Sequence, residues 1–418
     1  MFKEINCCRI CNSSNLSEYL DLGKTPLANS LVRPENKDKK EIFFPLKVLF
    51  CNNCFLSQLS IVVDPEILFK DYVYRSSVSK TFQNHCNQMA KELKKRFEKE
   101  NLLVLDIASN DGCLLQEFKK QGFKVIGVEP AVNISKIANE NKIQTINAFW
   151  DLDTAKKVLE EFGKVNVITA TNVLAHVDEV SSFVSAMHYV LDDNGLIVIE
   201  VPYAENLIEK NQFDTIYHEH LSYFIFRPLI ELFERNNFKV IDVQKVDIHG
   251  GTLRVFAAKK TSSRKINENA IQQLLKEEKS KNLYKIETYF QLAKNTEKIK
   301  FDLVSLLKEI KEKNQKTAAY GASAKGSTLL NYCNIGTDFI DFIIDDTPEK
   351  QNLLTPGKHI PIFPRSFLEE NKTDFLLLLS WNFAKEFISK TAEHRKKGGK
   401  YILPIPEVKV IESEEEIT

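Results

Sequence analysis

The chain has 418 residues, too many for one compact core, and its 57 Lys+Arg are balanced by 57 Asp+Glu. A net charge of zero argues against nucleic acid or an anionic membrane as the main partner, since both are held by a basic surface. With 43% hydrophobic and 27% charged residues the composition is that of a folded globular protein, and no apolar run approaches the ~18 residues that span a bilayer. The opening MFKEINCCRICN carries no signal-peptide pattern, so a cytoplasmic location is expected.

Eight cysteines are too few for a disulfide scaffold in a chain of this length. Four of them form two C-x-x-C pairs, Cys8 with Cys11 and Cys51 with Cys54. Each such turn aims two thiolates at one point, and two turns supply four soft ligands in a tetrahedron. The spacing predicts a structural Zn2+ with no position left for water. A redox C-x-x-C normally follows a strand of a βαβ unit, and neither it nor plain buried thiols accounts for two pairs flanking residues 12–50. Asn12 and Ser13, and Asn52 and Asn53, are the small polar residues that suit such knuckles. Cys86, Cys113 and Cys333 are isolated in sequence and read as packing residues.

Residues 65–98 lead into an amphipathic helix with a charged, solvated face, ending KELKKRFEKE. The pattern then alternates. Short apolar runs at 102–107, 124–128, 166–170 and 196–201 are separated by helical segments, which predicts a mostly parallel, doubly wound sheet. Residues 262–316 contain neither Gly nor Pro and read as helices linking two lobes. The α/β pattern then restarts, with strands predicted at 317–320, 339–344 and 375–379.

The run VLDIASNDGC, residues 104–113, is a strand, a turn of small polar residues and a helix start. In open α/β sheets ligands bind where such turns leave the carboxyl ends of strands. Ala108 and Asn110 stand where a dinucleotide fingerprint would carry its first two glycines, which argues against a nicotinamide enzyme. The run instead resembles the acidic-start loop of class I S-adenosylmethionine methyltransferases. On that resemblance Asp106, Ala108, Asn110, Asp111 and Gly112 form the loop that holds the amino acid end of the cofactor. Glu129, at the end of the next strand, suits both ribose hydroxyls. Asn147 would line the adenine and Asn172 would lie beneath the cofactor.

The segment FDTIYHEHLSYF, residues 213–224, concentrates two histidines, a glutamate and two tyrosines after the strand predicted at 196–201. Titratable groups gathered at the carboxyl edge of a sheet signal an active site. A histidine beside a carboxylate is poised for proton abstraction, a reading preferred here to a second metal site on H-E-H. The loop GASAKG, residues 321–326, opens a helix after a strand. Its backbone donors and Lys325 make either a pyrophosphate site or simply a tight strand–helix turn.

Taken in order, the paired knuckles, DIASNDG, YHEHLSYF, HGGTLR (residues 249–254) and GASAKG resemble the zinc-containing sugar C-methyltransferases, which act on nucleotide-linked keto-deoxysugars. The resemblance covers essentially the whole chain. It implies an α/β protein with a zinc-binding domain over 1–70, a class I methyltransferase Rossmann-like domain over 71–260 and a helical linker over 261–316. A second Rossmann-like domain over 317–410 would help hold the nucleotide-sugar. The resemblance further implies His220 as the catalytic base, with Tyr217 and Glu219 as its functional neighbours. His176 falls near the sugar, and Tyr72 matches an active-site tyrosine upstream of the cofactor domain. Tyr223, His249, Arg254, Ser323 and Lys325 would line the substrate. In the mechanism so implied, His220 forms an enolate beside the sugar ketone, Glu219 orients or charges the imidazole, and Tyr217, Tyr72 or His176 donates to the oxyanion. S-adenosylmethionine and Zn2+ are the expected cofactors. No nucleic acid, membrane or obligatory protein partner is expected. The alternatives are an O- or N-methyltransferase whose His220 deprotonates a hydroxyl, and a non-catalytic zinc- and S-adenosylmethionine-binding scaffold.

Overall fold

The computed structural model describes residues 1–69, 75–97, 101–248 and 250–416. They form two compact units, each assembled from separated stretches of chain. The first contains Met1–Ser17, Phe50–Ala204 and Leu221–Tyr284; the second contains Glu18–Leu49, Glu205–His220 and Lys285–Thr418. Among the described residues no helix is long and apolar enough to cross a membrane.

Five short strands come first: β1 (Phe2–Glu4), β2 (Leu16–Thr25), β3 (Phe44–Cys51), β4 (Ser57–Leu59) and β5 (Ile61–Val63). β1 lies antiparallel to β5. The main sheet of the first unit uses β6 (Leu103–Ile107), β7 (Lys124–Val128), β8 (Thr145–Ile146), β9 (Val165–Thr171) and β10 (Leu191–Pro202). After β11 (Ser222–Tyr223), which pairs with β4, the sheet is completed by β12 (Phe238–Val246) and β13 (Thr252–Lys259). Its order is β12-β13-β10-β9-β6-β7-β8, parallel from β10 to β8 and antiparallel at β13 and β12. The parallel strands are covered on both faces, which is why they read as nearly unbroken apolar runs. Val104, Leu105, Val167 and Ile168 have no exposed surface. Helix Lys80–Lys95, capped by Ser79, packs Cys86, Met89 and Leu93 into the same core as Val104 and Val167. The order reverses at β6, so the loop after β6 leaves at the switch point where ligands of such sheets bind.

The second unit repeats the logic with six strands: β14 (Thr317–Tyr320), β15 (Ile343–Ile344), β16 (Ile362–Phe363), β17 (Phe375–Leu378), β18 (Lys400–Leu403) and β19 (Lys409–Ile411). Their order is β16-β15-β14-β17-β18-β19, with only β19 antiparallel, and the switch point is at β14. The strand predicted over 339–344 is confined to Ile343–Ile344. The N–H groups of Phe339 and Ile340 both donate to the Gly336 carbonyl, at 3.1 and 3.0 Å, and are lost to the ladder. The Gly- and Pro-free stretch forms two helices, Glu268–Ser280 in the first unit and Ile286–Glu312 in the second.

The segment Glu205–His220 belongs to the second unit although the residues on both sides belong to the first. Its anchors are specific. Phe213 meets Tyr332 edge-on at 5.5 Å, Thr328 donates its hydroxyl to the Ile216 carbonyl at 3.2 Å, and Trp381 donates its indole N–H to Asp214 at 2.7 Å.

Candidate functional site

The two cysteine knuckles are built alike. Cys8 N–H donates to the Ser13 carbonyl and Asn12 N–H to the Cys8 carbonyl, at 2.9 and 3.0 Å. Cys51 N–H donates to the Leu56 carbonyl and Phe55 N–H to the Cys51 carbonyl, at 2.8 and 2.9 Å. In each, the residue after the second cysteine is left-handed, Asn12 at φ 59° and Phe55 at φ 70°. Asn12 tolerates that conformation. In the second knuckle it falls on an aromatic residue and not on Asn52 or Asn53.

The four sulfur atoms all lie within 4.8 Å of one another, with Cys8–Cys54 at 3.4 Å and Cys11–Cys51 at 3.5 Å. A tetrahedron with Zn–S bonds of about 2.3 Å has edges of about 3.8 Å, so the donor set fits Zn2+ without rearrangement. Cys8 and Cys51 Sγ each also accept a backbone N–H, from Ile10 and Cys54, which offsets thiolate charge.

At the end of β6 the chain makes a loop in which Ala108, Asn110 and Gly112 all have positive φ, at 54°, 50° and 80°. A Cβ on Gly112 would sit 3.0 Å from Ile143 Cγ2, so this position requires glycine on both counts. Ala108 holds its left-handed backbone at a cost of roughly 1 kcal/mol, strain of the kind that collects at functional loops. The loop is tied down by charged partners. Glu129 accepts the N–H groups of Asn110 and Ala131, both at 2.9 Å, and Asn110 Oδ1 and Asp111 Oδ2 accept those of Ser76 and Ser77.

Asn147 donates to the carbonyls of Glu129 and Pro130, a contact that buttresses the loop. Asp106 is 2% exposed, accepts from Thr169 Oγ1 at 2.6 Å, and burial pushes its carboxyl up to about 7. Asp111 Oδ1, Asn172 Oδ1 and Ser109 Oγ are buried polar atoms with no hydrogen-bond partner among the described residues. Such atoms mark a place for the polar amino acid end and ribose of a nucleoside-type ligand. The residues therefore fit S-adenosylmethionine.

In the second unit Tyr217 and His220 pair with each other, while His218 and Glu219 take other partners. His220 Nδ1 lies 2.8 Å from the Thr215 carbonyl, and a carbonyl only accepts, so Nδ1 carries the proton. His220 Nε2 lies 2.9 Å from the Tyr217 hydroxyl. His218 faces elsewhere, with Nε2 3.2 Å from the Pro45 carbonyl and its ring edge-on to Phe44. Glu219 accepts from Asn29 Nδ2 at 2.6 Å, and burial raises its carboxyl. Sequence reasoning gave Glu219 the task of orienting or charging the imidazole. Orientation at Nδ1 comes from the Thr215 backbone carbonyl.

Burial lowers His218 to about 4. Between 6.5 and 4 the unfolded chain binds a proton that the folded chain refuses, so this group makes stability fall as pH falls. The loss reaches about 3 kcal/mol once pH is below 4. His218→Gln keeps an N–H for Pro45 and does not titrate. Urea midpoints for this variant are expected to flatten between pH 6.5 and 4 relative to the parent, while an unchanged slope would place the titration elsewhere.

Around the GASAKG loop, Ser323 Oγ caps the following helix by accepting from Gly326 N–H at 3.2 Å and meets Ser380 Oγ at 3.0 Å. Gly321 is at φ 93°, and a Cβ there would lie 2.7 Å from Ser380 Oγ. Lys325 Nζ lies 5.3 Å from the Trp381 ring, and Trp381 in turn donates to Asp214. Asp214 is fully buried and raised by that burial, with Lys325 opposing the shift. Sequence reasoning missed Asp214, although it stands in the same run as Y-H-E-H.

In the first unit His176 closes the 3-10 turn Leu174–His176 after β9, and Tyr223 lies buried on β11. Arg254 is engaged by carboxylates within the first unit. It faces Glu200 across β10 and β13, donating to Glu200 at 2.7 Å and to Glu92 at 2.8 Å, with His85 on the other Glu200 oxygen at 2.8 Å. A guanidinium so engaged and 5% exposed is a structural cation. Tyr72 and His249 lie outside the described residues.

Three family models match the chain in succession: a zinc binding domain over residues 8–69, a methyltransferase domain over 81–243 and a C-methyltransferase C-terminal domain over 247–406. Among curated proteins, the C-methyltransferase NovU of Streptomyces niveus is 33% identical over 413 residues, spanning 99% of this chain and 98% of that protein. A ubiquinone biosynthesis O-methyltransferase of Bartonella bacilliformis is 29% identical over 99 residues, 23% of this chain and 40% of that protein. Among solved structures, magnesium protoporphyrin IX methyltransferase from Synechocystis PCC 6803 covers 42% of this chain and 79% of its own, with 13% identity and a TM-score of 0.33.

Proposed function

The chain belongs to the S-adenosylmethionine-dependent C-methyltransferases that carry an N-terminal zinc-binding domain, and from that premise we propose that it methylates the carbon beside the ketone of a nucleotide-linked keto-deoxysugar in the cytoplasm. When bound, S-adenosylmethionine supplies an electrophilic methyl group. The chain's own residues have to generate a carbon nucleophile. A proton beside a ketone becomes removable when a base is placed on it and the enolate oxygen is met by a donor.

The observation that carries this reading is the arrangement of His220. With Nδ1–H committed to the Thr215 carbonyl, Nε2 is the basic nitrogen, and the Tyr217 hydroxyl is within 2.9 Å of it. His220 takes the proton at Nε2, and Tyr217 shares that proton or donates to the oxyanion. His176 and Tyr72 are the other proposed donors. Tyr223, His249, Ser323 and Lys325 are proposed for the substrate, with Lys325 at a helix N-terminus suited to a diphosphate. Asp106, Ala108, Asn110, Asp111, Gly112, Glu129, Asn147 and Asn172 are proposed for the methyl donor, and the four cysteines hold the zinc. Domain limits near 70, 260 and 316 are proposed with this reading.

The test is isotopic. The enzyme is incubated in deuterated water with S-adenosylmethionine and a panel of nucleotide-linked keto-deoxysugars, and substrate and product masses are read. Deuterium entering the accepted sugar at the carbon that gains the methyl is the expected result. Methylated product whose carbon-bound hydrogen is retained would instead indicate an O- or N-methyltransferase.

A further inference from the structure

The first knuckle does more than present two thiols. Arg9, between Cys8 and Cys11, is buried, with only 3% of its side chain exposed. Its Nη1 donates to two carbonyls at once, Leu59 at 3.1 Å and Leu221 at 3.2 Å. Its Nε pairs with Asp178 at 3.3 Å. Its own backbone N–H donates to Gln58 Oε1 at 2.9 Å, and Gln58 Nε2 donates back to the Cys7 carbonyl at 3.0 Å, so knuckle and β4 are fastened in both directions.

The Leu221 peptide groups are the point of interest. Leu221 directly follows His220, and its N–H belongs to the peptide that joins the two residues. That N–H donates to the Ala175 carbonyl at 2.7 Å, and the Ala175 carbonyl belongs to the peptide leading into His176. The Leu221 carbonyl accepts from Arg9 and also from Leu59 N–H, at 2.9 Å. One guanidinium therefore fixes a chain of hydrogen bonds running from the metal knuckle through Leu221 to the turn carrying His176. Asp178, two residues beyond His176, closes the loop on the same guanidinium.

We propose that Arg9 is a positioning residue for methyl transfer, transmitting the geometry of the zinc knuckle to His176 and to the peptide that follows His220. The inference rests on the reading of His220 and His176 as catalytic. On this view the zinc holds the knuckle, the knuckle holds Arg9, and Arg9 holds the turn of His176 and the Leu221 peptide groups, which it reaches through hydrogen bonds. A lysine cannot reproduce this, because one ammonium cannot span two carbonyls and a carboxylate with the planar fork of an arginine.

The test compares Arg9→Met and Arg9→Lys with the parent enzyme by hydrogen exchange, calorimetry with S-adenosylmethionine, and turnover of the accepted keto-sugar. Faster amide exchange at 174–177 and 221–223 is expected, with exchange at 103–112 and affinity for S-adenosylmethionine unchanged. The kcat of Arg9→Met should fall on the order of 10²-fold with little change in KM, as small misplacements of reacting groups do. Arg9→Lys should lie between this variant and the parent, and it carries the test if Arg9→Met does not fold. Removing zinc with a chelator should loosen the same two segments. Unchanged exchange there would overturn the clamp, and loosened segments with parental kcat would overturn its positioning role. The reading beneath it is judged separately by His220→Asn: parental turnover in that variant removes His220 as base whatever Arg9 does.

Discussion

Cys51→Ala is expected to abolish zinc binding and to unfold the knuckle region. Four thiolates within 4.8 Å of one another are held apart from water around a point that, without a metal, is a cluster of mutually repelling anions or poorly satisfied thiols. Structural zinc sites of this type contribute on the order of 10 kcal/mol of apparent binding free energy at neutral pH, and that energy is available only to the folded knuckle. Three cysteines cannot close the tetrahedron, and Cys51 also accepts Cys54 N–H at its sulfur. The measurement is metal content by mass spectrometry together with thermal midpoint. The parent should hold one zinc per chain, Cys8→Ala and Cys51→Ala should hold none and melt earlier, and His220→Ala should keep its metal. Zinc retained after loss of Cys51, or lost with His220, would place the ion elsewhere.

His220→Asn should lower turnover by roughly 10²- to 10⁴-fold, the usual contribution of a positioned general base. Asparagine is chosen because its amide can still donate to the Thr215 carbonyl, so the local backbone keeps its partner while the basic nitrogen disappears. Affinity for S-adenosylmethionine, measured by calorimetry, should not move. The α-proton of the keto-sugar should also stop exchanging with solvent. Turnover within a few-fold of the parent would transfer the role to another group, and Glu219, whose burial-raised carboxyl is a competent base, would be the first to test.

Much of this arrangement is written in local pattern. Parallel strands buried on both faces announce themselves as apolar runs, and two C-x-x-C turns announce a metal because thiol chemistry and turn geometry are both local. What stayed hidden depends on pairings distant in sequence. Arg254 reads as a substrate-lining residue until β13 is set beside β10, which places Glu200 opposite it. Of the two histidines in H-E-H, one is neutralised by burial against Pro45 and the other is oriented by Thr215, a difference no spacing rule expresses. The strand at 339–344 was overread because apolar composition says nothing about Gly336 accepting the two N–H groups. Nothing in the sequence singles out Arg9, since its partners at 59, 178 and 221 are contributed by three other segments.

The interleaved make-up of the two units has a consequence for biosynthesis. The second unit draws on residues 18–49, 205–220 and everything from 285 onward, so its first contributing stretch leaves the ribosome before most of the first unit exists. That early stretch can pair β2 with β3, but its contacts with the carboxyl-terminal part, such as Glu41 with Gly357 and His359, wait until residues beyond 350 have been made. Vectorial folding one lobe at a time is thereby excluded for the second unit, and a fragment beginning at the long helix lacks two of its constituent pieces. Recombination that exchanges one lobe for another would have to cut and rejoin the chain at several points, which favours inheritance of the whole arrangement together.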